Sequence, residues 1–220
     1  MAKYDLRYIQ CAKYVNTNGV ISFLEKQKVG DAMTANIELR FAEGRLYAES
    51  TLAEYVRKCT GGTISLGVKY ILKAAQKLMF GLTEKTRSVT PAGGEATEVT
   101  SLVTKRSTVG NYVGTSFYTP ALYEGVEKYD CIFIGKCMFG EPSESLQTAG
   151  ESIQFNTPVT NGEFLADNSE EGQIKEAVTV DTEALARAWC DAVLAPTEAE
   201  PGEETQETQE TQENQENQGG

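Results

Sequence analysis

Histidine is absent from all 220 residues. That removes the commonest general base, the commonest metal ligand and every Ser–His or Cys–His arrangement. Acid–base chemistry would fall to carboxylates, and the pairs Glu141/Glu144 and Glu170/Glu171 lie in polar loop sequence. A general acid needs apolar surroundings to raise its pKa, and these stretches supply none. Three glycine-rich spots could cradle a phosphate. Gly61-Gly62 precedes a strand pattern, so no helix N-terminus follows it. Pro91-Ala92-Gly93-Gly94 has no Lys-Ser/Thr after it, and Gly135-Lys136-Cys137 has Asp130 where a phosphate loop needs its first glycine. All three read as turns or strand glycines. The five cysteines contain no Cys-x-x-Cys, which points to reduced thiols in a cytoplasm. Cys131 and Cys137 share one strand pattern about 20 Å apart, far beyond the ~7 Å a disulfide spans. No calcium-loop or zinc spacing occurs. The expectation is a chain with no catalytic residue, no cofactor and no metal, and so not an enzyme.

The elements that must position these residues are mostly strands. In Asp31–Phe41, Met33, Ala35, Ile37, Leu39 and Phe41 share one face, while Thr34, Asn36, Glu38 and Arg40 share the other. Gly62–Tyr70 repeats this, with Ile64, Leu66, Val68 and Tyr70 against Thr63, Ser65 and Lys69. In Ser152–Val159, Ile153, Phe155 and Val159 oppose Ser152, Gln154 and Asn156. Such alternation predicts strands with one buried and one wet face. Cys131–Phe139 is apolar on both faces except at Lys136, so it should lie centrally. Arg7–Val15 and Tyr112–Leu122 read as further strands, the second weakened by Pro120, and Gln173–Val180 as an edge strand.

Two helices are predicted. Ile71–Phe80 carries Ile71, Leu72, Ala75, Leu78 and Met79 on one stripe and stops at Gly81. Thr182–Leu194 spaces Leu185, Ala188, Trp189, Ala192 and Val193 on another, with Asp181 or Thr182 as cap and Pro196 beyond its end. The only tryptophan reads as a buried anchor. Asn16–Gly30, Glu43–Gly62 and Leu82–Gly110 read as irregular excursions. The order is mainly β, or α+β, and not alternating βαβ.

Two domains of behaviour are expected: a folded body over 1–195 and a disordered acidic C-terminal tail over 196–220. From Glu198 to Gly220 the triplets ETQ ETQ ETQ ENQ ENQ run from Glu204 to Gln218, with eight of the 32 acidic residues and no basic one. Without this segment the charge is −4 rather than −12. It offers nothing to bury and should not offset its ordering entropy. The body is large enough for a core. No apolar run approaches the ~20 residues of a membrane span, and the N-terminus lacks a signal-peptide pattern. Nor is there a basic stripe with interleaved aromatics, the footprint of nucleic-acid binding.

Several collinear pieces resemble the major tail proteins of siphophages of Gram-positive hosts. They are Arg45-Leu46-Tyr47-Ala48-Glu49-Ser50, Cys59-Thr60-Gly61-Gly62-Thr63-Ile64-Ser65-Leu66-Gly67-Val68, Gly125-Val126-Glu127-Lys128-Tyr129, Glu141-Pro142-Ser143, Gly150-Glu151-Ser152-Ile153-Gln154-Phe155-Asn156-Thr157-Pro158 and Val180-Asp181-Thr182-Glu183-Ala184. The excursion at Asn16–Gly30 and the tail fall outside the likeness. What the resemblance implies is a tail-tube fold, a β-sandwich or half-barrel with flanking α-helices. Subunits would form homo-hexameric rings, stacked through extended loops and terminal arms into a channel for DNA. Implied partners are further copies, the tape-measure protein, and tail initiator and terminator proteins. DNA would pass without specific binding, and no membrane is involved. The implied place is a virion tail assembled in the host cytoplasm. On this reading Thr34, Asn36, Glu38, Arg40, Ser65, Lys69, Gln154 and Asn156 would face the channel, and the acidic tail would form an outer fringe. Alternatives are the inner tube of a contractile tail or tail-derived bacteriocin, and a virion β-sandwich binding module. The last should display clustered exposed aromatics, which the sequence does not predict.

Overall fold

The structure, a computed structural model, describes residues 2–144, 148 and 155–196. It is mainly β. In chain order the elements are β1 (Ala2–Lys3), β2 (Arg7–Thr17), β3 (Val20–Lys28), β4 (Ala32–Ala48), β5 (Thr51–Val68), α1 (Lys73–Phe80), β6 (Thr83–Val89), β7 (Thr97–Val103), β8 (Tyr112–Tyr123), β9 (Val126–Phe139), β10 (Val159–Phe164), β11 (Glu176–Val180) and α2 (Glu183–Ala192). Nine strands form one antiparallel sheet in the order β3-β2-β8-β9-β10-β5-β4, with β1 added on β8 and β11 on β9. The remaining pair, β6 and β7, forms a separate ribbon.

The three expected excursions are strands. Asn18 and Gly19, at φ 53° and 88°, close a two-residue turn that joins β2 to β3 with Thr17 opposite Val20. An Asn-Gly pair supplies the left-handed backbone such a turn demands, so this hairpin had a readable signal. The stretch 43–62 continues β4 and β5 past the body as a paired ribbon. The stretch 82–110 contains the β6–β7 hairpin.

The sheet separates two apolar layers. Along β9, Ile132 and Ile134 turn to one side, where Ile9, Cys11, Ile64, Leu66, Val113, Phe117 and Phe164 pack with Leu78 and Met79 of α1. Cys131 and Phe133 turn to the other. There α2 lies on the sheet through Ala186, Cys190 and Leu194, with Trp189 half-buried between them. The predicted stripe of α2 is therefore rotated: Leu185 is 53% exposed and Ala188 and Ala192 face solvent. Small residues let α2 approach the sheet closely, which hydrophobicity periodicity does not register. Thr182 caps α2, its Oγ1 accepting from the Leu185 N–H at 3.3 Å. α1 ends as expected at Gly81, φ 68°, where a Cβ would sit 2.2 Å from the Val109 carbonyl oxygen. Its predicted stripe holds except at Leu72, which is 37% exposed at the N-cap.

β10 begins only at Val159, and Phe155 before it is 89% exposed rather than on a buried face. Ser152, Ile153 and Gln154 lie outside the described residues. Pro120 sits within β8, and its carbonyl accepts from the Tyr4 N–H at 3.1 Å, so β1 docks beside it. Tyr70 lies beyond β5 and is 44% exposed, because the chain turns toward α1 there. The predicted tail begins at the last described residue, Pro196; residues 197–220 lie outside the described range.

Candidate functional site

Opposite α1, α2 covers the sheet over β2, β8, β9 and β11. From the end of β9 across β10, β5 and β4 that face is bare among the described residues. Pairing aligns its residues in rows: Asn36 opposite Ser65 opposite Asn161, then Glu38 opposite Thr63 opposite Glu163. Met138 borders the last row, and the whole forms an open groove of about 620 Å³. Arg40 reaches Glu163 at 3.4 Å, with both side chains largely exposed. Two carboxylates and one guanidinium leave the face nearly neutral. Glu38 and Glu163 stand two strands apart, about 9–10 Å, and both are exposed.

Of the channel-facing candidates, Thr34, Asn36, Glu38, Arg40 and Ser65 share this face. Lys69 lies beyond the end of β5 and Asn156 in irregular chain before β10, both exposed. Gln154 lies outside the described residues. Asn161, Glu163 and Met138 belong to the face and were not foreseen. In β10 the inward positions are Thr160, Gly162 and Phe164. A Cβ on Gly162 would sit 2.7 Å from the Phe139 ring, so the inward site must stay small. Val159, outward at 44% exposure, inverts the pattern that hydrophobicity alone predicts.

β4 also forms an edge of the sheet, 17 residues long and without a strand partner on its outer side among the described residues. Long unpaired edges template association with another chain. The distal parts of β4 and β5 leave the body altogether: residues 42–58 are exposed throughout. Seven paired residues, Ala42–Ala48, carry this arm about 24 Å out. One face of it is an ion–aromatic ladder. Arg57 lies 3.9 Å from the Phe41 ring centroid, Glu43 pairs with Arg57 at 3.5 Å and Arg45 at 3.4 Å, and Arg45 lies 5.6 Å from the Tyr55 ring. On the other face Leu46 and Val56 are 58% and 64% exposed. The arm thus gathers Phe41, Tyr47 and Tyr55, all exposed, which corrects the expectation of no exposed aromatic cluster.

All five cysteines are free. Burial pushes the Cys11 thiol up to about 12 and raises Cys137 as well. Cys190 and Cys131 share a hydrogen bond beneath α2 that raises the first and lowers the second. Both are inaccessible to solvent. Among the described residues no group of three potential ligands could hold a metal ion, and no helix is long and apolar enough to cross a membrane. Glu141 and Glu170–Glu171 lie in loops, as read from sequence.

No family model fits the chain, and no curated protein matches it.

Proposed function

We propose that the chain is a structural subunit that polymerises through its sheet edges and arms into a tube, the major tail-tube protein of a bacteriophage. The observation that carries this reading is the long unpaired edge of β4, which bounds a bare polar sheet face and runs on into a projecting arm. An edge of that length is an aggregation hazard in a monomer, and pairing it with a neighbouring copy removes the hazard. Ring closure would turn the bare faces into the wall of a wet lumen. A nearly neutral wall suits passage of DNA, because each added cation on a phosphate raises affinity through counterion release. The arm would reach the next ring. The sequence resemblance supports the same assignment, with hexameric rings, a tape-measure protein inside, and initiator and terminator proteins at the ends of a virion tail. The tube of a contractile tail shares all these features.

Negative-stain microscopy of concentrated protein, with sedimentation over a concentration range, tests the proposal: rings and tubes are expected. A monomer at every concentration, with and without a tail initiator, refutes it. The exposed Tyr47, Tyr55 and Phe41 favour a second reading, a virion binding module that docks through the arm. Discrete particles in place of tubes would support that one.

A further inference from the structure

The ribbon of β6 and β7 belongs to neither the bare face nor the β4–β5 arm, and its charges are sorted. Its register places Glu84 and Glu98 on one side and Lys85 and Arg87 on the other. The acidic side turns to the body, where Leu102 packs on the α1 core and Glu84 meets Lys77 at 3.4 Å. The basic side turns away and carries Val89 and Val99, each 49% exposed. Residues 69–106, which span α1 and this ribbon, hold seven Lys and Arg against three Glu. Only Lys77 among these bases has an ion pair among the described residues. The rest of the body, residues 1–68 and 107–197, holds 13 bases against 21 acids. Within the ribbon, residues 83–103, Lys85 and Arg87 stand against Glu84, Glu95 and Glu98, so the positive charge is confined to its outer side, with Lys105 and Arg106 just beyond β7. The counterpart of that charge within the sequence is residues 198–220, with eight acids and no base.

We propose that the basic outer face of the β6–β7 ribbon is a docking surface for the Glu-Thr-Gln segment of a second copy of this chain. Charge complementarity selects the occupant, since no other segment of the chain is so purely acidic. The exit geometry selects a second copy. Leu194 is buried on the α2 side of the sheet, and the chain leaves there at Pro196, whereas the ribbon follows α1 on the opposite side. To reach its own ribbon a chain's tail would have to round an edge of the sheet, whereas a neighbour's ribbon can meet it directly. Twenty-four residues beyond Pro196 reach up to roughly 80 Å when extended, ample for a neighbouring subunit. Five repeated glutamates facing Lys85 and Arg87, with Lys105 and Arg106 just beyond β7, give weak contacts that act together, so the contact is salt-dependent. This inference does not rest on the tube assignment.

Zero-length carbodiimide cross-linking of the full chain, mixed from light and heavy-isotope preparations and read by mass spectrometry, tests it. Lys77–Glu84 serves as the internal control. Links of mixed isotope composition are expected between tail glutamates and Lys85 or Lys105. They should be lost at about 1 M salt, where the screening length is ~3 Å, and reduced in Arg87→Glu, with the Lys77–Glu84 link unchanged. The proposal is overturned if tail links distribute over Lys13, Lys26 and Lys58, if they join only residues of one isotope label, if they ignore Arg87→Glu, or if they are missing while the control link forms.

Discussion

Asp130 is where a single side chain does most to close the body. It is 8% exposed, and its carboxylate accepts from Lys3 at 2.8 Å, from Tyr123 at 2.7 Å and from Thr179 at 2.7 Å. One residue thereby ties β1, β8 and β11 to β9. Burial pushes its pKa up, but the hydrogen bonds from Lys3, Thr179 and Tyr123 outweigh this and hold it below the ordinary 3.8. A depressed folded pKa means the carboxylate contributes stability in full above 3.8, and that stability is lost as pH falls through the lower folded value. Asp130→Ala should cost about 1–3 kcal/mol, since the hydroxyls of Tyr123 and Thr179 lose their acceptor. Urea unfolding midpoints measured down an acid series should fall more steeply in the wild type than in Asp130→Asn. Parallel acid profiles for the two would show that Asp130 has no such role. No local sequence pattern marks this role for Asp130, because Lys3 and Thr179 are distant along the chain and Tyr123 meets it only through the pairing of β8 with β9.

At the scale of elements, the tube reading makes the β4–β5 arm separate stability from assembly. The arm makes no core contact, and its own ladder of Arg57, Phe41, Glu43, Arg45 and Tyr55 is solvent-exposed, where each such contact is worth little. Glu43 stands directly opposite Arg57, so residues 44–56 can be replaced by Asn-Gly, which closes a two-residue hairpin at that register. Denaturation of this variant should match the wild type to within about 0.5–1 kcal/mol, while tube formation is abolished. Tubes of normal length from the shortened protein would remove the arm from assembly. Leu39 and Phe41, read as part of a buried face, are 42% and 37% exposed because β4 peels off the body as it enters the arm, whereas Met33, 50% exposed, sits at the start of β4 where the register shifts between Ala32 and Thr34. Ala35 and Ile37, still over the core, pack where the alternation puts them.

For the whole molecule, the charge of the bare face is the quantity that function would read. Glu38, Glu163 and Arg40 sum to −1 in the region that also holds Thr34, Asn36 and Ser65. Thr34→Lys, Asn36→Lys and Ser65→Lys together bring it to +2 without touching the apolar side. On the tube reading such subunits still assemble, but DNA release slows, with a retardation that salt relieves because phosphate contacts release counterions. Particles with correctly formed tails and wild-type ejection kinetics would exclude this face from the DNA path.

The sequence by itself determined the strand-rich class, both helices, the cap at Gly81, an N-cap for α2 at Asp181 or Thr182, and the polar row Thr34, Asn36, Glu38, Arg40. Each of these is a local matter of period, propensity and backbone conformation, decided within a few residues. The tertiary structure alone decided which face of the sheet stays bare. Alternation says that a strand has a wet side, but not whether a helix lies on it. α2 covers β2, β8, β9 and β11 because Ala186 and Cys190 are small enough to let it approach, and it stops short of β10. The sequence also gave no sign that Asn161 and Glu163 join the row from Asn36 and Glu38. That depends on the pairing of β10 with β5, a contact between segments roughly a hundred positions apart in the chain, whose register is set by packing around Phe164 and not by any neighbour in sequence.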